Sequence, residues 1–219
     1  MKANVYVDGF NLYYSALRRR FPDCKWLDLR TLAETLFPGD EIARVQYFTA
    51  RVIARADDPQ EATRQQMYLR ALATRDVEIV LGQFRSGTRW MRRVEPCPSG
   101  TSCPVSEENI HVVATEEKGS DVNLASRLLI DAFRRDCELA IVLTNDTDLV
   151  EPIRLARDEL GLRVALLSPS ENPARTLRDR VDLVKKLRQG PLRASQLPGL
   201  LSDERGEVHR PRAWRPQKR

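Results

Sequence analysis

Four aspartates and one asparagine of this sequence stand where a predicted strand ends or a predicted helix begins. Asp8 follows the apolar run NVYV, and Asn11 comes three residues later. Asp146 and Asp148 follow the apolar run LAIVLT, and Asp121 lies at the expected start of a helix. If the carboxylates converge, their repulsion and desolvation require that some are protonated or that a cation lies among them. Carboxylate oxygens with little His or Cys nearby favour Mg²⁺ or Mn²⁺ over zinc.

Each aspartate also has an ordinary structural explanation. An aspartate at a helix N-terminus accepts hydrogen bonds from free backbone N–H groups, and its charge suits the helix dipole. Asp121, Asp146 or Asp148 alone is therefore more typical of a cap than of a catalyst. Asp8 is harder to explain in this way, because Gly9 follows it at a strand-to-helix turn, where glycine is expected to relax the backbone.

The elements that must position these residues alternate between apolar, strand-like runs and amphipathic, helix-like segments. This alternation predicts an α/β fold with a Rossmann-like, mostly parallel sheet flanked by helices. Ligands bind such sheets beyond the carboxyl ends of the strands, where Asp8, Asp146 and Asp148 lie. The predicted strands are 4–7, 43–50, 77–82, 109–115, 139–144 and 163–168. The predicted helices are 12–20, 29–36, 59–74, 121–133, 149–160 and 174–177.

The composition of the 219 residues predicts one main domain with a basic end. Hydrophobic residues make up 42% of the chain, which is enough to bury a core. We predict a domain at 1–189, with an inserted loop or hairpin at 85–106, and a basic C-terminal tail at 190–219. The tail has seven basic and three acidic residues, whereas the whole chain has a net charge of +5. With no secretion signal and no apolar run of membrane-spanning length, we expect no membrane association and a cytoplasmic location.

Three blocks of the sequence resemble the NYN domain of the PIN-like nuclease group, in its bacterial LabA-like branch. They are VDGFNLYY, EEKGSDVNLASRLLIDA and LTNDTDLVEPIRLA, and flanking stretches extend the resemblance over nearly the whole chain. The resemblance implies a PIN-like, Rossmann-like fold and the activity of a metal-dependent ribonuclease. It places the family's acidic positions on Asp8, Asp121, Asp146 and Asp148, with Asn11 as a polar companion.

The third block departs from the family's usual Ser-Gly-Asp-Ser-Asp form, because residues 144–148 read Thr-Asn-Asp-Thr-Asp. Both aspartates are kept, and threonine keeps a hydroxyl group at both serine positions. Asn145 in place of glycine could disturb the backbone, although asparagine tolerates the left-handed region better than most residues.

The resemblance implies hydrolysis of phosphodiester bonds in RNA, single-stranded or structured, with Mg²⁺ or Mn²⁺ held by the four aspartates. Bound ions of this kind lower the pKa of a water molecule and stabilise charge on the leaving oxygen. Asn11 is expected to orient a water molecule or a phosphate oxygen. Thr144, Thr147 and Lys118 are candidate phosphate contacts, although turn-stabilising hydroxyls and a solvated lysine are equally ordinary explanations.

Two basic sections could position the RNA. The inserted section contains arginines around Trp90, and the tail ends in PRAWRPQKR. Arginine binds the phosphate backbone, and tryptophan stacks on a base. The alternatives are a hairpin whose tryptophan packs on the domain and a disordered, solubilising tail. The candidate nucleic-acid contacts in these sections are Arg89, Arg92, Arg93, Arg212 and Arg215.

The four cysteines are too few for a disulfide scaffold, and we expect free thiols. A zinc site at Cys97 and Cys103, with His111 as a third ligand, is the less favoured alternative. The spacing of the two cysteines exceeds that of a usual zinc knuckle, and no fourth ligand is evident. The sequence is also compatible with a homo-oligomer.

Two other functions remain open. The first is a catalytically inactive NYN module that binds RNA or a partner protein, although the presence of all four aspartates argues against it. The second is an Mg²⁺-dependent phosphohydrolase with an aspartyl nucleophile. That enzyme would need Asp-x-Asp near the amino terminus, whereas Asp8 is followed by Gly9 and Phe10.

Overall fold

The computed structural model describes residues 1–54, 57–92 and 109–215. Six strands form the central sheet: β1 (Lys2–Asp8), β2 (Glu41–Thr49), β3 (Val77–Leu81), β6 (Leu139–Leu143), β7 (Arg163–Ser168) and β8 (Leu183–Lys186). Their order across the sheet is β3-β2-β1-β6-β7-β8, and every neighbouring pair is parallel.

Helices and two antiparallel strand pairs complete the described part of the chain. The helices are α1 (Gly9–Leu12), α2 (Leu29–Leu36), α3 (Glu61–Ala73), α4 (Ser120–Arg134), α5 (Val150–Arg154), α6 (Arg175–Arg178) and α7 (Gln189–Ala194). The strand pairs are β4 (Gln83–Arg92) with β5 (Asn109–Lys118), and β9 (Leu200–Asp203) with β10 (Gly206–His209). Turns of π-helix at Tyr13–Leu17 and Leu155–Glu159 extend α1 and α5.

Apolar side chains fill a core on each side of the sheet. Val5 and Val7 of β1 face one core and Tyr6 faces the other, because successive side chains of a strand point to opposite faces. Helices α2, α3 and α7 pack in the first core, and α4 and α5 pack in the second. The predicted α/β fold, with a Rossmann-like, mostly parallel sheet flanked by helices, is confirmed.

The strand prediction differs from the structure at β5 and β8, and it also missed β9 and β10, which lie in the predicted tail. Residues 109–115, predicted as a separate strand of the alternating pattern, belong to β5, which pairs only with β4 among the described strands. The β4–β5 pairing joins segments close in the chain, and antiparallel strands need no crossover helix. Strand β8 was missed because it has four residues, LVKK, two of them lysines. It lies at an edge of the sheet, where lysine is common.

The described residues of the predicted tail pack against the domain. Trp214 is only 9% exposed and contacts the rings of Trp26 and Tyr68, at centroid distances of 6.3 and 5.9 Å. Asp203 of β9 forms an ion pair with Arg70 of α3 at 2.5 Å. Trp214 therefore belongs to the core and is not an accessible surface for stacking a base. The division of the chain at residue 189 stays a prediction.

A buried carboxylate holds α4 against β1. Asp131 of α4 accepts hydrogen bonds from the Tyr6 hydroxyl at 2.8 Å and from the Asn4 amide at 3.4 Å. The guanidinium group of Arg44 lies 3.3 Å from the same carboxylate. Because β1 ends at Asp8 and α4 begins at Ser120, this network fixes the two elements that carry aspartates of the predicted site.

Candidate metal centre

The predicted site lies where the order of strands in the sheet reverses. The chain passes from β1 to β2 and β3 on one side, then returns to β6, β7 and β8 on the other. Strands β1 and β6 are parallel neighbours, so their carboxyl ends meet at the same edge. Open α/β sheets bind ligands at such a switch point. Asp8 ends β1, and Thr144 directly follows β6.

Two hydrogen bonds fix the carboxylate of Asp8. Its Oδ1 accepts the backbone N–H of Asn11 at 2.9 Å, and its Oδ2 accepts the Thr144 hydroxyl at 2.9 Å. The Thr144 hydroxyl oxygen in turn accepts the backbone N–H of Asp146 at 3.0 Å. Asp8 is only 4% exposed, and each of its oxygens keeps a lone pair for a further ligand. The group is therefore oriented before any ligand arrives.

Gly9 is required by a close approach of neighbouring atoms. A Cβ atom at this position would lie 2.6 Å from Cζ of Tyr47 and 2.8 Å from the carbonyl oxygen of Phe48. Gly9 is not among the glycines with positive φ, so the expectation that it relaxes the backbone was wrong. Because Gly9 has no side chain, β2 can pack closely beside Asp8.

Gly9→Ala is expected to lower the free energy of unfolding by about 1–3 kcal/mol, the usual cost of overpacking. The added methyl group must displace either the buried Tyr47 ring or the backbone of β2. Gly39→Ala is the matched control, because no atom lies within 4 Å of a Cβ there and its φ is not positive. Urea unfolding of both variants measures the difference. Equal stability of the two would contradict the close contact.

Three carboxylates converge at the switch point. One oxygen each from Asp8, Asp121 and Asp146 can be chosen so that all three lie within 4.8 Å of one another. Asp121 lies in the first turn of α4, and Asp146 caps the short 3₁₀ turn Thr147–Leu149, where its Oδ1 accepts the N–H of Asp148 at 3.0 Å. Asp148, the fourth predicted aspartate, is exposed and stands outside this group of three.

Burial and repulsion from neighbouring carboxylates oppose the ionisation of Asp8 and Asp121. Burial is the main cause that raises the pKa of Asp8 to about 7; the hydrogen bonds from Asn11 and Thr144 lower it, and the charges of Asp121 and Asp146 raise it. The pKa of Asp121 is also raised, first by burial and then by nearby carboxylates, Asp146 foremost. Three converging carboxylate oxygens, on a group of aspartates in which the pKa of Asp8 and that of Asp121 are raised, suit a hard divalent cation, which would remove the repulsion. Mg²⁺ or Mn²⁺ therefore fits the donor set.

Asn145 and Asn11 join the loop after β6 to α1. The side-chain oxygen of Asn11 accepts the backbone N–H of Asn145 at 3.0 Å. The side-chain oxygen of Asn145 accepts the backbone N–H of Ala174 at 2.8 Å. Asn145 does not have a positive φ, so asparagine stands here without backbone strain. Sequence reasoning treated Asn145 only as a departure from the family pattern, whereas the structure shows that it supports the site.

The family model for the NYN domain matches residues 2–187. The chain belongs to the NYN domain family. It is similar to the 6-hydroxy-3-succinoylpyridine 3-monooxygenase HspA of Pseudomonas putida, with 28% identity over 241 residues that cover 98% of this chain and 75% of that protein. A solved structure of a protein of unknown function from Vibrio parahaemolyticus superposes with a TM-score of 0.54 at 16% identity. That match covers 90% of this chain and 96% of the other.

These comparisons confirm the predicted family and fold. The NYN domain is consistent with the PIN-like nuclease group, and the Vibrio parahaemolyticus structure supports the fold alone. Within the described ranges, no helix of this NYN domain is long and apolar enough to cross a membrane.

The predicted phosphate contacts near the candidate metal centre occupy different environments. Thr144 is completely buried, and its hydroxyl lies between Asp8 and Asp146, so we reassign it to the orientation of Asp8. Thr147 is exposed at the start of its 3₁₀ turn. Lys118 is exposed, with its Nζ 3.0 Å from the Glu116 carboxylate.

The predicted nucleic-acid contacts farther along the chain also differ in their surroundings. Arg89 forms an ion pair with Glu116 across the β4–β5 ribbon. Arg92 is exposed in β4, and Arg212 and Arg215 are exposed on either side of the buried Trp214. Arg93, Cys97 and Cys103 lie outside the described residues, together with most of the inserted section.

Proposed function

We propose that this NYN domain is a metal-dependent ribonuclease that hydrolyses phosphodiester bonds of RNA. The observation that carries the proposal is the convergence of Asp8, Asp121 and Asp146 at the switch point of the sheet. Family membership supports nuclease chemistry, and the donor set supports Mg²⁺ or Mn²⁺. Asp148 is assigned an outer position, where it acts through water because it stands outside the group of three.

Hydrolysis adds a water molecule across one phosphodiester bond. The water oxygen forms a bond to phosphorus, the bond from phosphorus to the 3′ oxygen breaks, and the leaving oxygen takes up a proton. The products are a 5′-phosphate and a 3′-hydroxyl. The metal ion, when bound, supplies a water of lowered pKa and stabilises negative charge on the phosphate and the leaving oxygen.

The residues of this chain then have separate tasks. Asp8, Asp121 and Asp146 would hold the ion, and Thr144 keeps the Asp8 carboxylate in one orientation. Asn11 links α1 to the loop that carries Asp146 through its bond to the N–H of Asn145. We therefore reassign the expected substrate contact of Asn11 to positioning, because its side-chain oxygen is already used inside the protein.

The activity test compares labelled single-stranded RNA and DNA in Mg²⁺, in Mn²⁺ and in EDTA. We expect RNA cleavage in either metal, none in EDTA, and products with 5′-phosphate ends. Asp121→Ala should abolish cleavage, whereas Glu41→Gln should leave it unchanged, because Glu41 is exposed at the opposite, amino end of β2. Equal cleavage by the protein and Asp121→Ala would identify a contaminating nuclease, and binding without cleavage would identify an inactive RNA-binding module.

The similarity to the Pseudomonas putida monooxygenase over 98% of this chain supports a second candidate, hydroxylation of a pyridine. A monooxygenase inserts one oxygen atom of O₂ into its substrate and reduces the other to water with two electrons from a donor. The same protein preparation is therefore assayed for oxygen uptake with 6-hydroxy-3-succinoylpyridine and a reduced nicotinamide. Uptake that depends on the pyridine, without RNA cleavage, would replace the nuclease proposal.

A further inference from the structure

Strand β4 of the β4–β5 ribbon is exposed along almost its whole length. Nine of the ten residues of β4 are exposed, and Phe84 is the half-buried exception. The ribbon pairs with no other strand in the described ranges. An isolated two-stranded ribbon is only marginally stable in water, and exposed large apolar side chains grouped together are typical of binding surfaces. The ribbon is therefore a candidate binding surface.

The register of the ribbon separates its side chains into two faces. Residues directly opposite each other share a face, and successive residues alternate between faces. Trp90 lies opposite His111, and Phe84 lies opposite Glu117, so the even-numbered residues of β4 share one face. Val113 of β5 also belongs to this face, which we call the stacking face.

Aromatic side chains are presented to solvent on the stacking face. The Trp90 ring lies on the His111 ring with centroids 4.8 Å apart and an interplanar angle of 22°. Trp90 is 65% exposed and Val113 is 74% exposed. His111 covers one side of the indole and holds its plane, so the other side is open to a flat ring. A nucleobase has the shape and the π surface that such a platform recognises.

The stacking face begins at the candidate metal centre. Phe84 contacts Phe10 of α1 edge to face, with centroids 5.5 Å apart, and Phe10 is two residues after Asp8. The Glu117 carboxylate, opposite Phe84, accepts the backbone N–H of Ser120, the residue before Asp121. Trp90 is six residues from Phe84 along β4, a distance of about 20 Å. A single strand of a few nucleotides could connect the two places.

The charge of the ribbon favours a nucleic acid over a second copy of the chain. Arg85, Arg89 and Arg92 lie on β4, against Glu116 and Glu117 on β5. Arg92 shares the stacking face with Trp90, whereas Arg85 and Arg89 lie on the opposite face of β4. Arginine combined with an aromatic ring on one surface is typical of single-strand binding surfaces. Two ribbons in contact would instead bring together two segments of net positive charge, because four basic residues on each ribbon outnumber the two acidic residues Glu116 and Glu117.

We propose that the Trp90–His111 pair is a base-stacking platform that holds single-stranded RNA on the ribbon, about 20 Å along β4 from Phe84, which lies beside the candidate metal centre. The substrate then lies along the stacking face, and its phosphodiester backbone reaches the three aspartates past Phe84. The placement of the RNA backbone at the three aspartates for cleavage rests on the proposed function. The stacking of a base on Trp90 does not depend on it.

Binding in EDTA tests the platform without cleavage. The full chain is titrated into a fluorescein-labelled 12-nucleotide oligoadenylate, and anisotropy gives the Kd. Trp90→Leu is expected to weaken binding by about 5- to 150-fold, because stacking on one aromatic residue contributes about 1–3 kcal/mol per base. Trp90→Phe keeps an aromatic ring and should remain within about threefold of the unchanged protein. Met91→Leu, on the opposite face, is the matched control and should bind as the unchanged protein does.

Tryptophan fluorescence provides a second readout of the same contact. The chain has three tryptophans, of which Trp26 and Trp214 are buried and Trp90 is exposed. Oligoadenylate should quench the emission of the unchanged protein and have no effect on Trp90→Phe. Circular dichroism should show unchanged folding in all variants, because the Trp90 side chain lies outside both cores.

The outcomes separate this inference from the proposed function. Equal affinity of Trp90→Leu and the unchanged protein would overturn the platform, even if the protein cleaves RNA. A change of oligomeric state in Trp90→Leu, without a change in RNA affinity, would assign the ribbon to contacts between copies and also overturn it. Binding that depends on Trp90, without cleavage in Mg²⁺ or Mn²⁺, would support the platform and refute the nuclease.

Discussion

Asp8→Asn is expected to reduce RNA cleavage at least about 100-fold while the protein stays folded. Residues that merely orient metal ligands contribute 10- to 100-fold in affinity or activity, so the loss of a ligand should cost at least as much. Asparagine has the shape of aspartate and still offers an acceptor to the N–H of Asn11. Initial rates at saturating Mn²⁺, compared with those of the unchanged protein, measure the effect.

Two further variants make this result specific to the metal centre. Thr144→Val leaves the carboxylate but removes its hydrogen bond, and we expect a smaller loss, within the 10- to 100-fold range. Glu41→Gln removes an exposed carboxylate at the amino end of β2, away from the candidate metal centre, and should have no effect. Cleavage by Asp8→Asn at the unchanged rate would refute a direct role of Asp8.

The metal-free protein should lose stability as the pH rises from about 4 to about 7. The pKa of Asp8 is about 7 in the folded protein, above the ordinary value of 3.8. The folded state therefore holds the Asp8 proton in a pH range where the unfolded state has released it. This contribution is fully present below pH 4 and lost once the pH passes 7. Raising the pKa of Asp8 from 3.8 to about 7 corresponds to about 4 kcal/mol of folding free energy.

Comparison with Asp8→Asn isolates this contribution from other titrating groups. In EDTA, the free energy of unfolding of the unchanged protein should fall relative to that of the variant between pH 4 and pH 8. Mn²⁺ at pH 8 should restore stability to the unchanged protein alone, because an ion replaces the proton among the carboxylates. If the difference in free energy of unfolding between the two proteins does not vary with pH, then folding does not raise the pKa of Asp8, and the prediction is wrong.

The sequence predicted the main elements of the fold because the central strands are apolar and the helices between them are amphipathic. It failed where pairing is decided by tertiary contacts. Residues 109–115 have the composition of a strand, but only the register with 83–92 shows that they form a ribbon outside the main sheet. Strand β8 is short and contains two lysines, so it has no apolar signal of its own.

The aspartates of the site were predictable because each lies at a junction between elements, and three of them converge. The neighbouring residues that orient these aspartates were not predicted from the sequence. Tyr47 lies beside Gly9 only because β2 pairs with β1, and the buried position of Thr144 depends on its contact with Asp8. Thr144 is a polar residue that directly follows a buried strand. That position could have indicated from the sequence alone that its side chain orients the metal-binding carboxylate of Asp8.

Trp214 illustrates the opposite error. Its basic and proline-containing surroundings indicated an exposed stacking residue, whereas the structure buries it between Trp26 and Tyr68. Trp90 has similar arginine-rich surroundings and is exposed. The local composition around the two tryptophans is similar, so it could not distinguish them. Their different exposure depends on which residues the fold places beside each ring.

The most direct test of the metal centre is the anomalous scattering of Mn²⁺ in crystals of the protein soaked in that ion. We predict an anomalous difference peak among the carboxylates of Asp8, Asp121 and Asp146, and no such peak in crystals of Asp8→Asn. Crystals at pH 8 that show no peak between these three side chains, at millimolar Mn²⁺, would contradict the account.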